Sequence, residues 1–391
     1  MCIGQVGNLL PHVIVPAIMA QHLIPLWGLT ATEAGLMAGA FTFGYMLSVP
    51  VLTALTDRFD ARIILAGGSA LCGGATLAFG ALAQGLWSAI ALWALVGIGF
   101  GGAYMPGLKA LTDRLPPGET SRAVTFYTSS FSFGVGLSFL VAQVVADRFG
   151  WRAAFFVTGL GPLLMVATCF RLAPHRPSPA KGALLDFRPV FRNHSALGYI
   201  LGYGAHCFEL YGVRTWIVAF WVFVAAHNNG AGVLSPIAVS VLVTLLAAPA
   251  SIIGNELAIR FGRHRAISIV MVCSAALAVT IGLSTDGSPS LLLALILLHA
   301  LTVNGDSGAL TSGMTASAVP AFRGATMALH STIGFGLSAV GAWGTGAALD
   351  AAGGPLSASG WRAAFFLFAA GILLGPLALW WSRRKRGAAS A

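Results

Sequence analysis

Apolar stretches of membrane-spanning length follow one another along almost the whole chain, separated by short polar breaks. No other feature restricts the fold as much. A helix needs about 20 apolar residues to cross the hydrocarbon core. Inside it, every backbone N–H and C=O must be bonded within protein. The stretches are too long and too uniformly apolar for the alternating strands of a barrel, so each reads as a helix. Spans fall near 5–26, 33–55, 63–84, 87–109, 123–146 and 153–172, then near 196–223, 234–258, 266–284, 290–312, 324–348 and 362–382. The expected fold is an all-α membrane protein of twelve transmembrane helices. Only 9% of the residues are charged and 57% are hydrophobic. Soluble domains carry about 25% charged residues, so too few polar side chains exist here to cover a water-facing surface. The first span lacks a basic segment before it, and Asn8, His12, Gln21 and His22 interrupt it. It is expected to be retained as a helix, not cleaved as a signal.

A net charge of +10 invites a nucleic-acid reading, but the placement of the charges argues against one. Of 22 Lys and Arg, 18 fall on one set of alternate loops and the C-terminal tail: Arg58, Arg62, Lys109, Arg114, Arg122, Arg171, Arg176, Lys181, Arg188, Arg192, Arg260, Arg263, Arg265, Arg323 and Arg383 to Arg386 with Lys385 among them. The opposite loops hold Arg148, Arg152 and Arg362, and Arg214 lies inside a span. Basic loops stay in the cytoplasm. Both termini are therefore expected there, in a bacterial-type inner membrane, with the tail held at anionic headgroups. Cys2, Cys72, Cys169, Cys207 and Cys273 are too far apart for a CxxC metal or redox pair. No Gly-x-x-x-x-Gly-Lys-Ser/Thr loop and no nucleophile triad is present. The expectation is no cofactor, no metal, no enzyme and no ATP-driven pump in this chain.

The chain repeats itself. Gly150-Trp151-Arg152-Ala153-Ala154-Phe155-Phe156 recurs as Gly360 to Phe366. Gly134-Val135-Gly136-Leu137-Ser138 is echoed by Gly334-Phe335-Gly336-Leu337-Ser338, and Arg58-Phe59 by Arg260-Phe261. The offsets are 210, 200 and 202 residues, in chain order of a parallel repeat. Two bundles are expected, 1–172 and 196–391, joined by a polar cytoplasmic linker over 173–195 that holds Pro174, Pro177, Pro179, Lys181 and Arg188.

Two parallel six-helix halves resemble the major facilitator superfamily, whose substrate site lies near the bilayer midplane between the halves. The resemblance covers essentially the whole chain. The motif of that family in the loop after span 2 falls on Thr53, Asp57, Arg58, Asp60, Ala61 and Arg62. Asp57, Arg58 and Arg62 fit it, while Thr53, Asp60 and Ala61 depart. The second copy is Arg260-Phe261-Gly262-Arg263, with Ile259 where the acid would stand. The resemblance implies gating roles for Asp57, Arg58, Arg62 and Arg260, with Glu256 one turn before Arg260 as an i,i+4 partner. Two further family signals are missing. Trp93 stands where an Arg often precedes the Gly-x-Gly of span 4, and Phe133-Gly134-Val135-Gly136 has no Gly-Pro pair. Both absences disfavour a typical drug exporter.

Charges inside hydrocarbon persist mainly where they face water or a partner. Span 7 carries Tyr203, His206, Cys207, Glu209, Tyr211, Arg214 and Trp216. His206 and Glu209 are three apart, share a face, and are expected to hold a proton between them, since burial disfavours the charged form of either. Arg214 keeps its charge and points about 140° away from Glu209, so it needs an anion from another helix or from the substrate. Asp306 sits beside Asn304, Ser307 and Gly308, small and polar neighbours that suit a cavity wall. Candidate substrate contacts are Arg214, Glu209, His206, Tyr104, Tyr127 and Trp93. Candidate proton-coupling residues are Glu209, His206, Asp306 and His330. His12, His22 and His299 read as lesser candidates.

These features point to a secondary active transporter, acting as a monomer, that moves a small solute by alternating access. An organic anion taken up in symport with protons is the expected cargo. The alternatives are a proton-driven exporter of amphipathic compounds and, in a different class, a non-transporting membrane sensor. A sensor would be expected to carry a soluble domain, and the segment after span 12 is short.

Overall fold

The computed structural model describes residues 1–116, 120–177, 187–228, 230, 234–319 and 322–389, and every regular element among them is helical. The middle of the expected linker, including Pro179 and Lys181, lies outside the described residues.

Among the described residues, twelve helical rods follow the expected spans. The first, α1, is a bent pair, Cys2–Leu9 and Ile14–Trp27, broken by 50°. Then come α2 (Ala31–Leu55), α3 (Ala61–Leu82), α4 (Leu86–Thr112), α5 (Thr120–Phe149) and α6 (Trp151–Arg171). The second set is α7 (His194–His227), α8 (Pro236–Phe261), α9 (Arg263–Leu283), α10 (Pro289–Ser317), α11 (Arg323–Ala351) and α12 (Ala358–Arg384). Ten of these are long and apolar enough to cross a membrane singly, and the bent pair qualifies together. The remaining rod, α11, has 29 residues. At 1.5 Å per residue that is about 43 Å, ample for a bilayer, but its Gly, Ser and Thr content makes it less apolar.

The chain divides into two units, Met1–Leu29 with Ala40–Leu185, and Thr30–Gly39 with Asp186–Ala391. The sequence placed all of α2 in the first bundle, yet its opening turns group with the second. Those turns are anchored twice. Thr30 and Glu33 form a capping box: the Thr30 N–H donates to Glu33 Oε2 at 2.9 Å, and the Glu33 N–H donates to Thr30 Oγ1 at 3.2 Å. Asp350, at the end of α11, accepts from the N–H groups of Ala31 and Thr32 at 3.0 and 2.7 Å. Four N–H groups at any helix start lack an intrahelical partner, and these carboxylates satisfy three of them.

In the first unit, α3 lies at the centre, against α4 and α6, while α1 packs on α5 and α6. Pro11 forces the break in α1 by removing a backbone donor. The broken turn is repaired by Ser138 of α5, whose hydroxyl donates to Leu10 O at 2.6 Å and accepts from the Val13 N–H at 3.3 Å. Gly97 of α4 admits the Phe41 carbonyl of α2, where a Cβ would collide. In the second unit α7 lies at the centre, against α10, α11 and α12.

The repeat seen in the sequence is also a repeat of contacts. Arg152 Nη1 donates to Gly80 O at the end of α3 (2.8 Å), and Arg362 Nε donates to Gly282 O at the end of α9 (3.4 Å). Each Arg thus closes a helix C-terminus whose last carbonyls have no intrahelical donor.

Candidate functional site

Two buried histidines and two buried carboxylates of the second unit gather where α7 and α10 meet. These helices run in opposite directions, and each supplies one histidine and one carboxylate. His206 and Glu209 come from α7, His299 and Asp306 from α10. All four are 0–1% exposed. The spacings place each pair on a single helix face, three residues apart on α7 and seven on α10.

The expected local pair of His206 with Glu209 does not form. Each bonds across to α10 instead, because side chains that share a helix face both point at the neighbouring helix. Glu209 Oε1 lies 3.1 Å from Nε2 of His299. The Ser274 hydroxyl of α9 donates into the same carboxylate, 2.9 Å from Oε1 and 3.1 Å from Oε2. His206 Nδ1 lies 2.7 Å from Asp306 Oδ1. That contact is off the line of a hydrogen bond, and neither atom has another hydrogen-bond partner among the described residues. Asp306 stands at the junction of Pro289–Gly305 and Ser307–Ser317, the two helical segments of α10. The break is possible because Gly254 of α8 has no side chain: a Cβ there would fall on the Gly305 carbonyl oxygen.

Two aromatic contacts extend the cluster. Tyr203 stacks on the His330 ring at 3.8 Å and on the His206 ring at 5.5 Å. His330 is buried, and its Nδ1 has no hydrogen-bond partner among the described residues. Farther along α7, Arg214 is half-buried, with its guanidinium carbon 5.0 Å from the Tyr211 ring centroid. No carboxylate among the described residues lies within ion-pair distance of it. The structure therefore brings Glu209, His206, Asp306 and His330 together, with Arg214 outside that cluster. His299 is the member that sequence reading ranked low. Its seven-residue spacing from Asp306 on an antiparallel helix was the available signal.

In the first unit Tyr127 is fully buried, and its hydroxyl donates to Gln5 Oε1 at 2.8 Å. Tyr104 stacks on Tyr127 at 6.1 Å and meets Phe131 at 5.2 Å. His12 is ringed by Phe41, Phe100 and Phe131 at 5.0 to 5.4 Å. Gln5 and Asn8 share one face of the first segment of α1, His12 lies in the break after it, and Asn8 Nδ2 donates to Ser69 Oγ at 3.0 Å. Trp93 is buried among Phe41, Phe79 and Phe155, an aromatic core cluster.

The expected gating residues are distributed differently from the motif. Arg58 is exposed, and Asp57 is 54% exposed with Lys109 Nζ 4.0 Å away. The ion-pair hub is Asp60, one of the residues that departs from the family pattern. It accepts from Arg114 Nη2 (2.7 Å), from the Arg62 N–H (2.9 Å) and from the His175 N–H (2.9 Å). Arg62 Nη1 donates to Leu172 O and Arg114 Nε to Ala173 O, so the loop after α2 is tied to the segment after α6. Burial alone would raise the Asp60 carboxyl, but the bonds from Arg114, His175 and Arg62 outweigh it and hold it below its ordinary value. A carboxyl held low stabilises the fold above its ordinary value of 3.8 and loses that contribution only as pH falls through the depressed value. The Asp60 contribution should thus be constant from about pH 6 to pH 9. Asp60→Ala is expected to cost about 1–3 kcal/mol at every pH in that range, measured as a thermal midpoint in detergent. Glu256 and Arg260 are both exposed, and no ion pair joins them among the described residues. Arg260 instead lies over the Phe261 ring at 5.5 Å.

Comparison with known proteins agrees with this architecture. The family described as Major Facilitator Superfamily matches residues 1–245. A relative from Arabidopsis thaliana, "Probable anion transporter 4, chloroplastic", is 29% identical over 152 residues, 38% of this chain. The match spans only 28% of that relative's length. A bacterial homologue of the human lysosomal transporter Spinster, solved inward-facing and occupied, superposes with a TM-score of 0.77 at 15% identity, covering 98% of this chain and 95% of that one. The human organic anion transporter MFSD10 (TETRAN) superposes with a TM-score of 0.69 at 17% identity, covering 97% of each chain.

Proposed function

Because this chain belongs to the Major Facilitator Superfamily, we propose that it is a proton-coupled secondary transporter whose cargo is a small organic anion. The chain is a multi-pass membrane protein and a transporter of that family, not an enzyme. The observation that supports the finer reading is a half-buried Arg214 with no carboxylate within ion-pair distance among the described residues, separate from a buried set of histidines and carboxylates. Arg214 attracts a carboxylate; its guanidinium offers donors in a fork that matches two carboxylate oxygens. The His206–Asp306 couple takes up one proton, going from a net charge of −1 to 0, and gives it back on the other side. Loading both would deliver an anion and a proton together, with no net charge left in the low-dielectric interior. Alternating access supplies the movement. The relative named as an anion transporter and the structural neighbour named as an organic anion transporter agree with this cargo class.

The membrane is proposed to be a bacterial-type inner membrane with both termini cytoplasmic, because the basic residues collect on one set of loops. The transporter is proposed to work as a monomer. Thiol labelling of cysteines placed at 187–192 from outside the cell would overturn that topology. Export of amphipathic compounds is the second reading, favoured by the aromatic surround of His12.

The deciding experiment is flux in proteoliposomes. Labelled benzoate and labelled lactate are offered under an inward proton gradient, with and without a protonophore. Gradient-dependent accumulation of either acid is the expected result. Extrusion of an amphipathic dye with no movement of either acid would replace this reading with the second.

A further inference from the structure

We infer that the two histidine–carboxylate pairs between α7 and α10 have different duties: His206–Asp306 carries the moving proton, while Glu209–His299–Ser274 is a positioning clamp with a fixed protonation state. This rests on the proton-coupled reading above and divides its residues.

The two pairs sit one helical turn apart on α7 and differ in how fully they are bonded. In the clamp, each carboxylate oxygen of Glu209 is engaged, by side chains from two other helices. Three helices, α7, α9 and α10, meet at this one carboxylate. Removing His299 or Ser274 would leave that carboxylate short of a partner in a site 0–1% exposed. A buried polar group left without its partner costs the full desolvation of that group. The arrangement therefore holds the three helices in register.

The other pair has only its own contact. His206 Nδ1 and Asp306 Oδ1 approach to 2.7 Å without hydrogen-bond alignment, and neither atom has another hydrogen-bond partner among the described residues. Asp306 sits at the break between the two segments of α10, where the backbone can turn with little loss of regular bonding. A proton shared between the two atoms can leave without breaking a bond to a third group among the described residues. The transfer moves one proton onto the couple, shared between Nδ1 and Oδ1, and later off it. No other bond forms or breaks.

Few other titratable groups face the couple. From α7 come Tyr203, Cys207 and Glu209, and from α11 comes His330, stacked on Tyr203. From α10 itself comes His299, bound to Glu209. The ionisable residues of α8 are Glu256 and Arg260, both exposed near its end. Those of α9 are Arg263, His264 and Arg265 at its start and Cys273, which is exposed. Arg362 at the start of α12 and Arg383 and Arg384 at its end lie outside the buried cluster. His206–Asp306 is therefore the open couple of this unit.

The test is infrared difference spectroscopy of the purified full-length protein, titrated between about pH 5 and pH 9, the range in which histidine-linked protons exchange. The readout is the C=O stretch of a protonated carboxylic acid. Wild type is expected to show a titrating band. Asp306→Asn should abolish it, Asp306→Glu should keep it with a shifted midpoint, and Glu209→Gln should leave it in place while lowering the thermal midpoint. A band that survives Asp306→Asn, or vanishes in Glu209→Gln, overturns the division of duties. If wild type shows neither a titrating carboxylic acid band nor a titrating imidazole ring band, the proton-coupled reading fails and takes this inference with it. Should Asp306→Asn not fold, Asp306→Glu decides: an unmoved midpoint counts against Asp306 as the carrier.

Discussion

Arg214→Gln is expected to raise the KM for the transported acid at least tenfold, while pH-driven proton release from the empty protein stays intact. Tenfold corresponds to about 1.4 kcal/mol, and loss of a charge-assisted bond is worth about 1.5–3 kcal/mol, so the larger value predicts a shift above a hundredfold. The reason lies in what surrounds Arg214. Its described contact is the face of Tyr211, and no carboxylate among the described residues neutralises it. A cation inside a span costs roughly 2.5–3.5 kcal/mol on insertion scales. An arginine kept there without a counter-ion among the described residues is suited to a charge that arrives and leaves. Arg214→Lys separates two roles. A point charge restores attraction but not the two-oxygen fork, so partial recovery indicates carboxylate recognition. Equal transport in wild type, Arg214→Gln and Arg214→Lys would show that Arg214 serves only to anchor the end of α7.

Gly254→Ala is expected to lower the thermal midpoint of the protein by roughly 6–12 °C. A Cβ on Gly254 would sit on the carbonyl oxygen of Gly305, and that oxygen belongs to backbone at the broken point of α10. Side chains can rotate away from an added methyl group, whereas two helices must move apart to relieve this contact. Overpacking of this kind costs about 1–3 kcal/mol or more, and about 3 kcal/mol moves the midpoint of a unit of this size by the stated amount. Gly324→Ala is the control, because nothing lies within 4 Å of a Cβ there. It should be neutral or stabilising by up to about 1 kcal/mol, since Ala is the better helix former. Equal midpoints for the two variants would mean that α8 and α10 are not held in backbone contact.

The effects at Asp60, Arg214 and Gly254 come from different kinds of residue, and they differ in how well the sequence disclosed them. Arg214 stood out at once, because a permanent charge in an apolar span needs an explanation. Gly254 did not, because a glycine in a glycine-rich chain carries no mark of which neighbour will touch it. Asp60 was read as a departure from a family motif. Only the folded loop shows it collecting Arg114, Arg62 and the His175 N–H.

What the sequence alone determined is the set of helices, their order and the internal repeat. The bilayer imposes one period and one length on every span, so hydropathy is enough to find them. It also marked His206, Glu209, Asp306 and His330, because polar groups in hydrocarbon are few. What only the tertiary structure decided is who bonds to whom. Residues three apart on one helix share a face, and sharing a face turns both toward a neighbouring helix, away from each other. That is why His206 found Asp306, Glu209 found His299 and Ser274, and the opening turns of α2 found Asp350. Pairing across helices depends on the packing of distant segments, which no local spacing in a single chain encodes.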